Sequence, residues 1–249
     1  MTVLAHLKEL RKRLLLILLG LLVGTIVGWF FTMPVLEYIQ RPLLQLTDAN
    51  PRLNFQTIGG AFDLRLRVAF WTGAILSSPW WILQIGLFVW PGLRRKERLH
   101  ALGFGVAGVI LFGAGVVAGI KVVPQAIDIL VSFLPSGAEM LLRADSYLSF
   151  YMTLVFAFGF SFLLPEILVA LNFAGILPAK AMLKAWRWAV LVAFVIAAII
   201  NPIPNPIPMI IQAFGLIALY LVAVGISWWR ERIIRKRRSD PASTPEVAG

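Results

Sequence analysis

The sequence has 249 residues, contains no cysteine and has few charged residues. Each of these shortages excludes some classes of protein. Without cysteine there are no disulfides and no thiolate metal sites, and the redox compartment is left undetermined. Only 14% of the residues are charged, whereas 59% are hydrophobic and the mean hydropathy is +0.85. Because soluble domains of this length are not so apolar, the composition predicts a membrane protein with several spans.

The sequence also lacks the residue arrangements that enzymes use. Its two histidines, His6 and His100, lie outside the apolar segments, and no Ser/His, Cys/His or paired-Asp arrangement falls at a common membrane depth. Motifs of the HExxH, GxGxxG and phosphate-loop types are absent. Since catalysis would need at least two cooperating groups, we expect a protein that is not an enzyme and has no cofactor or metal.

Six apolar segments are candidates for membrane-spanning helices, and we expect an all-α membrane domain over residues 1–238. The segments are 14–31, 68–90, 101–120, 149–176, 188–200 and 207–229. Pro79 interrupts the second, and the fifth is short for about 30 Å of hydrocarbon. The third contains six glycines, which allow a neighbouring helix to approach closely.

Three segments outside these spans also carry structural signals. Apolar runs at 34–46 and 124–134 predict short helices on the outer surface. Residues 230–238 are basic and compatible with a helix, whereas residues 239–249 are polar and contain proline. This last composition predicts a disordered tail.

The distribution of charge orients the six segments. Of the 23 lysine and arginine residues, 17 fall on the side of the two termini and 6 on the other side. Because basic loops favour the cytoplasm, this asymmetry predicts that both termini are cytoplasmic. The inner face then has a net charge of +12, which predicts contact with anionic lipid and makes a nucleic-acid partner unnecessary.

One acid lies inside an apolar segment. Glu166 directly follows Pro165 in the fourth candidate span. A carboxyl group is costly in lipid and normally faces a polar partner or a cavity, and proline weakens the helix there because it removes a backbone donor. Glu166 can therefore serve a ligand, or it can be neutral or paired within the bundle without any ligand.

Two more acids lie among basic residues on the predicted cytoplasmic side. Leucines at helical spacing in residues 4–14 predict an amphipathic helix that leads into the first span, with Glu9 on its polar side. Glu97 follows a basic run in the loop 91–100. Each can be explained as an ordinary exposed ion pair, worth a few tenths of a kcal/mol, so the residues alone leave a binding role and a structural role equally open.

Six short strings together resemble a known family. They are HLKELRKRL at 6–14, RPL at 41–43, FVWPGL at 88–93, ER at 97–98, SYLSF at 146–150 and AFGFSF at 157–162. With these strings the sequence resembles the TatC family, the multi-span subunit of the twin-arginine protein translocase, over essentially residues 5–232. The first string is the most specific. The resemblance implies a concave bundle of six spans with a short final pair.

The resemblance also implies a function, which is the export of folded proteins across the inner membrane of a prokaryote. TatC proteins bind signal peptides with consecutive arginines through two carboxylates, which map to Glu9 and Glu97 here. Leu10, Arg11 and Phe88 lie in the matched strings and are expected at the same binding site. Carboxylates suit this task because they accept paired hydrogen bonds from a guanidinium group.

The partners follow from the same resemblance. We expect twin-arginine signal peptides of folded cargo, the single-span subunits TatA and TatB, and further copies of the chain within the translocase. Because TatC-like proteins have no nucleotide site, the energy would come from the protonmotive force.

The sequence departs from the family pattern at the intramembrane acid. The family has Phe-Glu-x-Pro, but the glutamate position is Leu163 here and the acid appears three residues later, as Glu166. In the last span the family's glutamine position is Met209, and a glutamine again appears three residues later, as Gln212. Three residues are about 4.5 Å along a helix and stay near one face. We therefore expect Glu166 and Gln212 to form one displaced polar site that receives TatA or TatB.

Other departures leave further roles and alternatives open. Asn205 and Leu221 stand where the family often has acids, so those roles are not carried over. The main alternative function is a proton-coupled small-molecule transporter that uses Glu166, although no internal repeat supports it. A passive membrane scaffold is the third possibility, and it would need none of these acids.

Overall fold

The computed structural model describes residues 3–46, 57–89, 95–132, 143–173, 175–200 and 206–238. Within these ranges the chain forms nine α-helices and no strand, as the sequence predicts. They are α1 Val3–Phe30, α2 Thr32–Leu46, α3 Gly60–Leu76, α4 Ser78–Val89, α5 Arg95–Val131, α6 Ala144–Phe173, α7 Ala179–Lys184, α8 Trp186–Ile200 and α9 Pro206–Arg238. The predicted tail at 239–249 lies outside the described residues.

Four of these helices are long and apolar enough to cross a membrane. Their spans are His6–Phe30 in α1, Gly103–Ile129 in α5, Ala144–Phe173 in α6 and Met209–Ile233 in α9. They correspond to the first, third, fourth and sixth segments that the sequence predicts. The fifth segment forms the shorter apolar helix α8, as its length implies. The total of six spans and the cytoplasmic location of the termini stay predictions.

The second predicted span is divided into α3 and α4, with Ser77 between them. Pro79 lies in the first turn of α4, where the missing N–H costs no helical hydrogen bond. The indole N–H of Trp81 donates to the carbonyl of Ala74 at 3.0 Å and so joins the two helices across the junction. The interruption that Pro79 predicts is therefore confirmed.

The prediction of a separate helix at residues 124–134 was wrong. Helix α5 runs unbroken from Arg95 to Val131 and contains Pro124. Val123, Ala126 and Ile127 around this proline are at most 5% exposed, so burial in the main core outweighs the loss of one backbone hydrogen bond. By contrast, the predicted helix at 34–46 is confirmed as α2.

Helix α6 is the centre of the bundle, and it continues through Pro165. Its residues Leu148, Leu154 and Val155 are at most 2% exposed and belong to a core that includes Val68 of α3 and Phe112 of α5. Burial of such a side chain contributes about 1.5–3 kcal/mol to stability when the alternative is exposure to water. On the outer face of a membrane bundle the alternative is lipid, so packing between helices contributes instead. The inward-facing positions of α6 are therefore fixed by its neighbours.

Glycines bring two helix pairs into backbone contact. A Cβ added at Gly24 of α1 would lie 2.5 Å from the carbonyl oxygen of Gly73 in α3. A Cβ added at Gly115 of α5 would lie 2.6 Å from the carbonyl oxygen of Phe158 in α6. The close approach that the glycines of the third segment predict is thus confirmed for the face of α5 that meets α6.

Candidate functional site

The first candidate site lies where the beginning of α1 contacts α4. Arg13 donates from Nε and Nη2 to Oε1 of Glu9 at 3.2 and 3.1 Å. Its third nitrogen, Nη1, donates to Oε1 of Gln84 on α4 at 2.7 Å. Gln84 is only 6% exposed, so Arg13 is anchored on the bundle and in turn holds the Glu9 carboxylate, whose side chain is 27% exposed.

Aromatic stacking joins the same two helices at a second point. The rings of His6 and Phe88 lie 4.7 Å apart between centroids. The structure therefore brings Glu9 and Phe88, both predicted site residues, to one contact between α1 and α4. Leu10 is 44% exposed and Arg11 is also exposed, so both are accessible at this end of α1.

Glu97, the second predicted acid, lies in the first turn of α5, the helix that follows α4 along the chain. Its side chain lies outside the described residues. A joint site of Glu9 and Glu97 therefore stays a prediction.

The second candidate site surrounds Glu166 on α6. Its carboxylate lies against Gly108 of α5, because a Cβ added at Gly108 would meet Oε2 at 2.6 Å and Oε1 at 3.1 Å. Glu166 is partly buried, and no cation in the described part of the chain forms an ion pair with it. The carboxyl group therefore lies in the contact between two helices without a charged partner.

Two aromatic side chains of α5 lie one helical turn from Gly108, one in each direction along the helix. Phe112 packs on Trp81 and Phe160, with ring centroids 5.1 and 5.6 Å away. Phe104 packs edge-on against Phe173 at 5.3 Å. Aromatic rings therefore flank Gly108 along α5, and an unpaired charge at Glu166 inside such a helix bundle is costly.

Gln212 lies elsewhere in the bundle. A Cβ added at Gly215 of α9 would lie 3.9 Å from the ring of Phe158 on α6, and Arg230 donates to Asn172. Because the two pairs are offset by nearly the same number of positions, α9 runs parallel to α6 at a nearly constant register. This register sets Gln212 beside Val155, three helical turns or about 17 Å from the level of Glu166. The structure therefore does not bring Glu166 and Gln212 together in one polar site. Glu166 and Gln212 are each displaced by three positions from the family pattern, along helices that run parallel. Such equal displacements leave the distance between the two residues unchanged, so they give no evidence of a contact.

A polar cluster that the sequence did not predict lies at the C-terminal end of α6. Oε1 of Glu231 on α9 accepts hydrogen bonds from Asn172 Nδ2 at 2.8 Å and from the backbone N–H of Ala179 at 2.7 Å. Its neighbour Arg230 donates to the carbonyl oxygen of Asn172 at 2.8 Å and to its Oδ1 at 2.9 Å. Arg230 thus caps the end of α6 while Glu231 caps the start of α7.

Part of this cluster does have a signal in the sequence. Asn172 ends an apolar helix, Gly175 follows with φ of 74°, and Pro178 precedes α7. These residues are typical of a helix end followed by a new helix start. The two capping residues on α9 could not be found in this way, because they lie more than 50 positions along the chain.

Comparison with known proteins gives one consistent family. The family model described as "Sec-independent protein translocase protein (TatC)" matches residues 5–214. A protein of that name from Xylanimonas cellulosilytica is 43% identical over 246 residues, which cover 98% of this chain and 87% of that protein. The relative from Synechocystis is 34% identical over 229 residues, with coverages of 90% and 87%.

Solved structures agree with the sequence relatives. Two crystal structures of the "Twin Arginine Translocase Receptor- TatC", one of them in DDM, are each 27% identical to this chain. Their TM-scores are 0.78 and 0.80, and the matches cover 90% and 89% of this chain and 98% and 99% of theirs. These similarities indicate a bacterial membrane protein with several spans and do not support a small-molecule transporter. The chain belongs to the TatC family of Sec-independent protein translocase proteins.

Proposed function

We propose that this protein is the receptor for twin-arginine signal peptides and the central scaffold of the translocase. Its role in Sec-independent export follows from the family to which it belongs. The finer proposal adds a place in the cytoplasmic membrane with six spans and both termini in the cytoplasm, where Glu9 and Glu97 face the signal peptide. The observation that carries it is the Glu9 carboxylate, which accepts hydrogen bonds from Arg13, while Arg13 also donates to Gln84 at the contact between α1 and α4.

The geometry at Glu9 suits an incoming guanidinium group. Both hydrogen bonds from Arg13 go to Oε1, and Oε2 accepts none from the described residues. Arg13 can therefore keep the carboxylate oriented while Oε2 accepts a hydrogen bond from an arginine of the signal peptide. An arginine is preferred to a lysine because its planar donors match a carboxylate, whereas the ammonium group acts as a point charge.

Glu97 is proposed as the second carboxylate of the receptor. It lies in the first turn of α5, close along the chain to Phe88 at the end of α4. Two acids on a face whose net charge, with these acids included, is +12 would direct an arginine pair to this point.

Glu166 is proposed as the contact for the single-span subunits TatA or TatB. Its carboxyl group lies against Gly108 and has no paired cation among the described residues, so a polar group on a partner helix would reduce the free-energy cost of this acid in the membrane. Gln212 is 1% exposed, so an added helix cannot reach it without a rearrangement of the bundle. The proposed partner contact is therefore Glu166 alone.

The test of the receptor proposal is binding of a signal peptide to the purified full chain. We expect a peptide with two arginines to bind about tenfold tighter than its two-lysine counterpart, and Glu9→Gln and Glu97→Gln to abolish this preference. Glu37→Gln is the matched control, since Glu37 is an exposed acid on α2. Equal binding of both peptides, unaffected by either substitution, would reject the receptor proposal and favour a passive scaffold.

A further inference from the structure

Three glycines of α5 differ in what a side chain at their position would meet. A Cβ at Gly113 would meet nothing within 4 Å, whereas a Cβ at Gly115 would meet backbone atoms of α6, the nearest at 2.6 Å. At Gly108 the three nearest atoms all belong to the carboxyl group of Glu166, at 2.6, 3.1 and 3.2 Å. Among the glycines in the described residues, Gly108 alone has a carboxylate as its nearest neighbour.

This difference shows that Gly115 and Gly108 serve different purposes, the first in helix packing and the second in the location of a side chain. The carboxylate is the free end of a flexible side chain, so a methyl group at Gly108 would displace it without separating the backbones of α5 and α6. A methyl group at Gly115 has no such option, because a carbonyl oxygen of α6 lies in its way. Gly108 is therefore needed for the location of the Glu166 carboxyl group and not for the contact of the two helices.

The aromatic residues that flank Gly108 offer a displaced carboxyl group no new polar contact. Phe104 and Phe112 lie one helical turn from Gly108 in the two directions along α5, and both pack on aromatic rings of other elements. Neither offers a hydrogen bond to a carboxylate. A side chain at position 108 would therefore move the carboxyl group of Glu166 out of its present position against α5.

We propose that Gly108 is a positioning residue, which by its lack of a side chain holds the Glu166 carboxyl group in the orientation that meets a polar group of the single-span partner helix. This inference rests on the proposed partner contact at Glu166. It adds that the contact between Glu166 and the partner helix depends on the absence of a side chain at Gly108 as well as on the carboxyl group.

The experiment uses the complete translocase in native membranes with cross-linking from one engineered cysteine. Because the chain has no cysteine, Ile167→Cys gives a unique reporter next to Glu166 on an exposed position. We expect Gly108→Ala to lower cross-linking to the partner about fivefold or more, as loss of one hydrogen bond to a carboxylate implies. Gly113→Ala, on the same helix, should leave cross-linking unchanged.

A compensating variant separates positioning from general damage. Glu166→Asp shortens the side chain by one methylene, about 1.5 Å, and makes room for the methyl group that Gly108→Ala introduces. We therefore expect the double variant Gly108→Ala with Glu166→Asp to cross-link better than Gly108→Ala alone. Wild-type cross-linking of Gly108→Ala, or a double variant no better than Gly108→Ala, would overturn the inference.

The same experiment tests the role of Gly108 separately from the proposed contact of Glu166 with the partner helix. Normal cross-linking of Glu166→Leu, which can form no side-chain hydrogen bond, would reject the partner contact itself, and with it the role of Gly108. Loss of cross-linking in Glu166→Leu together with a normal Gly108→Ala would reject only the role of Gly108.

Discussion

Glu9 and Glu166 carry the same chemical group in opposite settings. The Glu9 carboxylate is 27% exposed, and its location is determined by the charge of Arg13 and by the link from Arg13 to Gln84. The Glu166 carboxylate has no paired cation in the described residues, and its location is determined by the missing side chain of Gly108. One acid is oriented by electrostatics and the other by shape.

This difference predicts two kinds of sensitivity. Interactions of partly exposed charges weaken as salt is added, because the Debye length is about 10 Å at 0.1 M ionic strength. Contacts that depend on shape do not change with salt concentration, but an added methyl group disrupts them. Substitutions can therefore test separately whether each site is held in the way that the structure shows.

The largest effect is expected where shape alone brings the backbones of two helices together. Gly115→Val should destabilise the protein by about 3 kcal/mol or more, because its side chain would overlap the carbonyl of Phe158. Thermal unfolding in detergent measures this effect. Gly113→Val is the matched control, and equal destabilisation by both variants would contradict the packing described for α5 and α6.

A smaller effect is expected when the cation that orients Glu9 is removed. Arg13→Gln should weaken binding of an Arg-Arg signal peptide about three- to tenfold, since Glu9 remains but is no longer held in place. Isothermal titration of the peptide at low and at high salt measures the change. Tighter peptide binding in Arg13→Gln would mean that Arg13 competes with the peptide for Glu9.

Glu231 offers an intermediate case, because its carboxylate is held both by a side chain and by the start of a helix. Glu231→Gln should lower the free energy of unfolding by about 1 kcal/mol, the usual contribution of a cap and its charge. Chemical or thermal unfolding in detergent gives the value. The exposed Asp128→Asn serves as control, and an equal change in both variants would contradict the capping role.

The smallest effect is expected at the exposed ion pair of Arg67 with Asp63. Their side chains are 50% and 56% exposed, and the nitrogen–oxygen distance is 2.8 Å. Arg67→Gln should change the free energy of unfolding by less than about 0.5 kcal/mol. A larger loss of thermal stability would show that exposed ion pairs contribute more to the stability of this fold than we expect.

The sequence predicts local features of this molecule well and distant contacts poorly. Leucine spacing predicts the amphipathic start of α1, and apolar length predicts α5, α6 and α9, because these signals depend on neighbouring residues. The continuity of α5 through Pro124 could not be predicted, since it depends on burial of Val123 and Ala126 in the main core.

The candidate sites show the same limit. The resemblance identifies Glu9, but the link from Arg13 to Gln84 joins residues 71 positions apart. The contact of Glu166 with Gly108 depends on how α5 and α6 are rotated against each other, which spacing along one chain does not reveal. For the same reason the expected pairing of Glu166 with Gln212 could not be judged from their equal shifts.

The most direct test of the receptor proposal is a double-mutant cycle between Glu9 and the two arginines of the signal peptide. Peptides with lysine at one position or the other are titrated into the wild-type protein and into Glu9→Gln. We expect a coupling energy of about 1–3 kcal/mol between Glu9 and one of the two arginines. Additive effects at both positions would show that Glu9 does not contact the arginine pair and would contradict the receptor proposal.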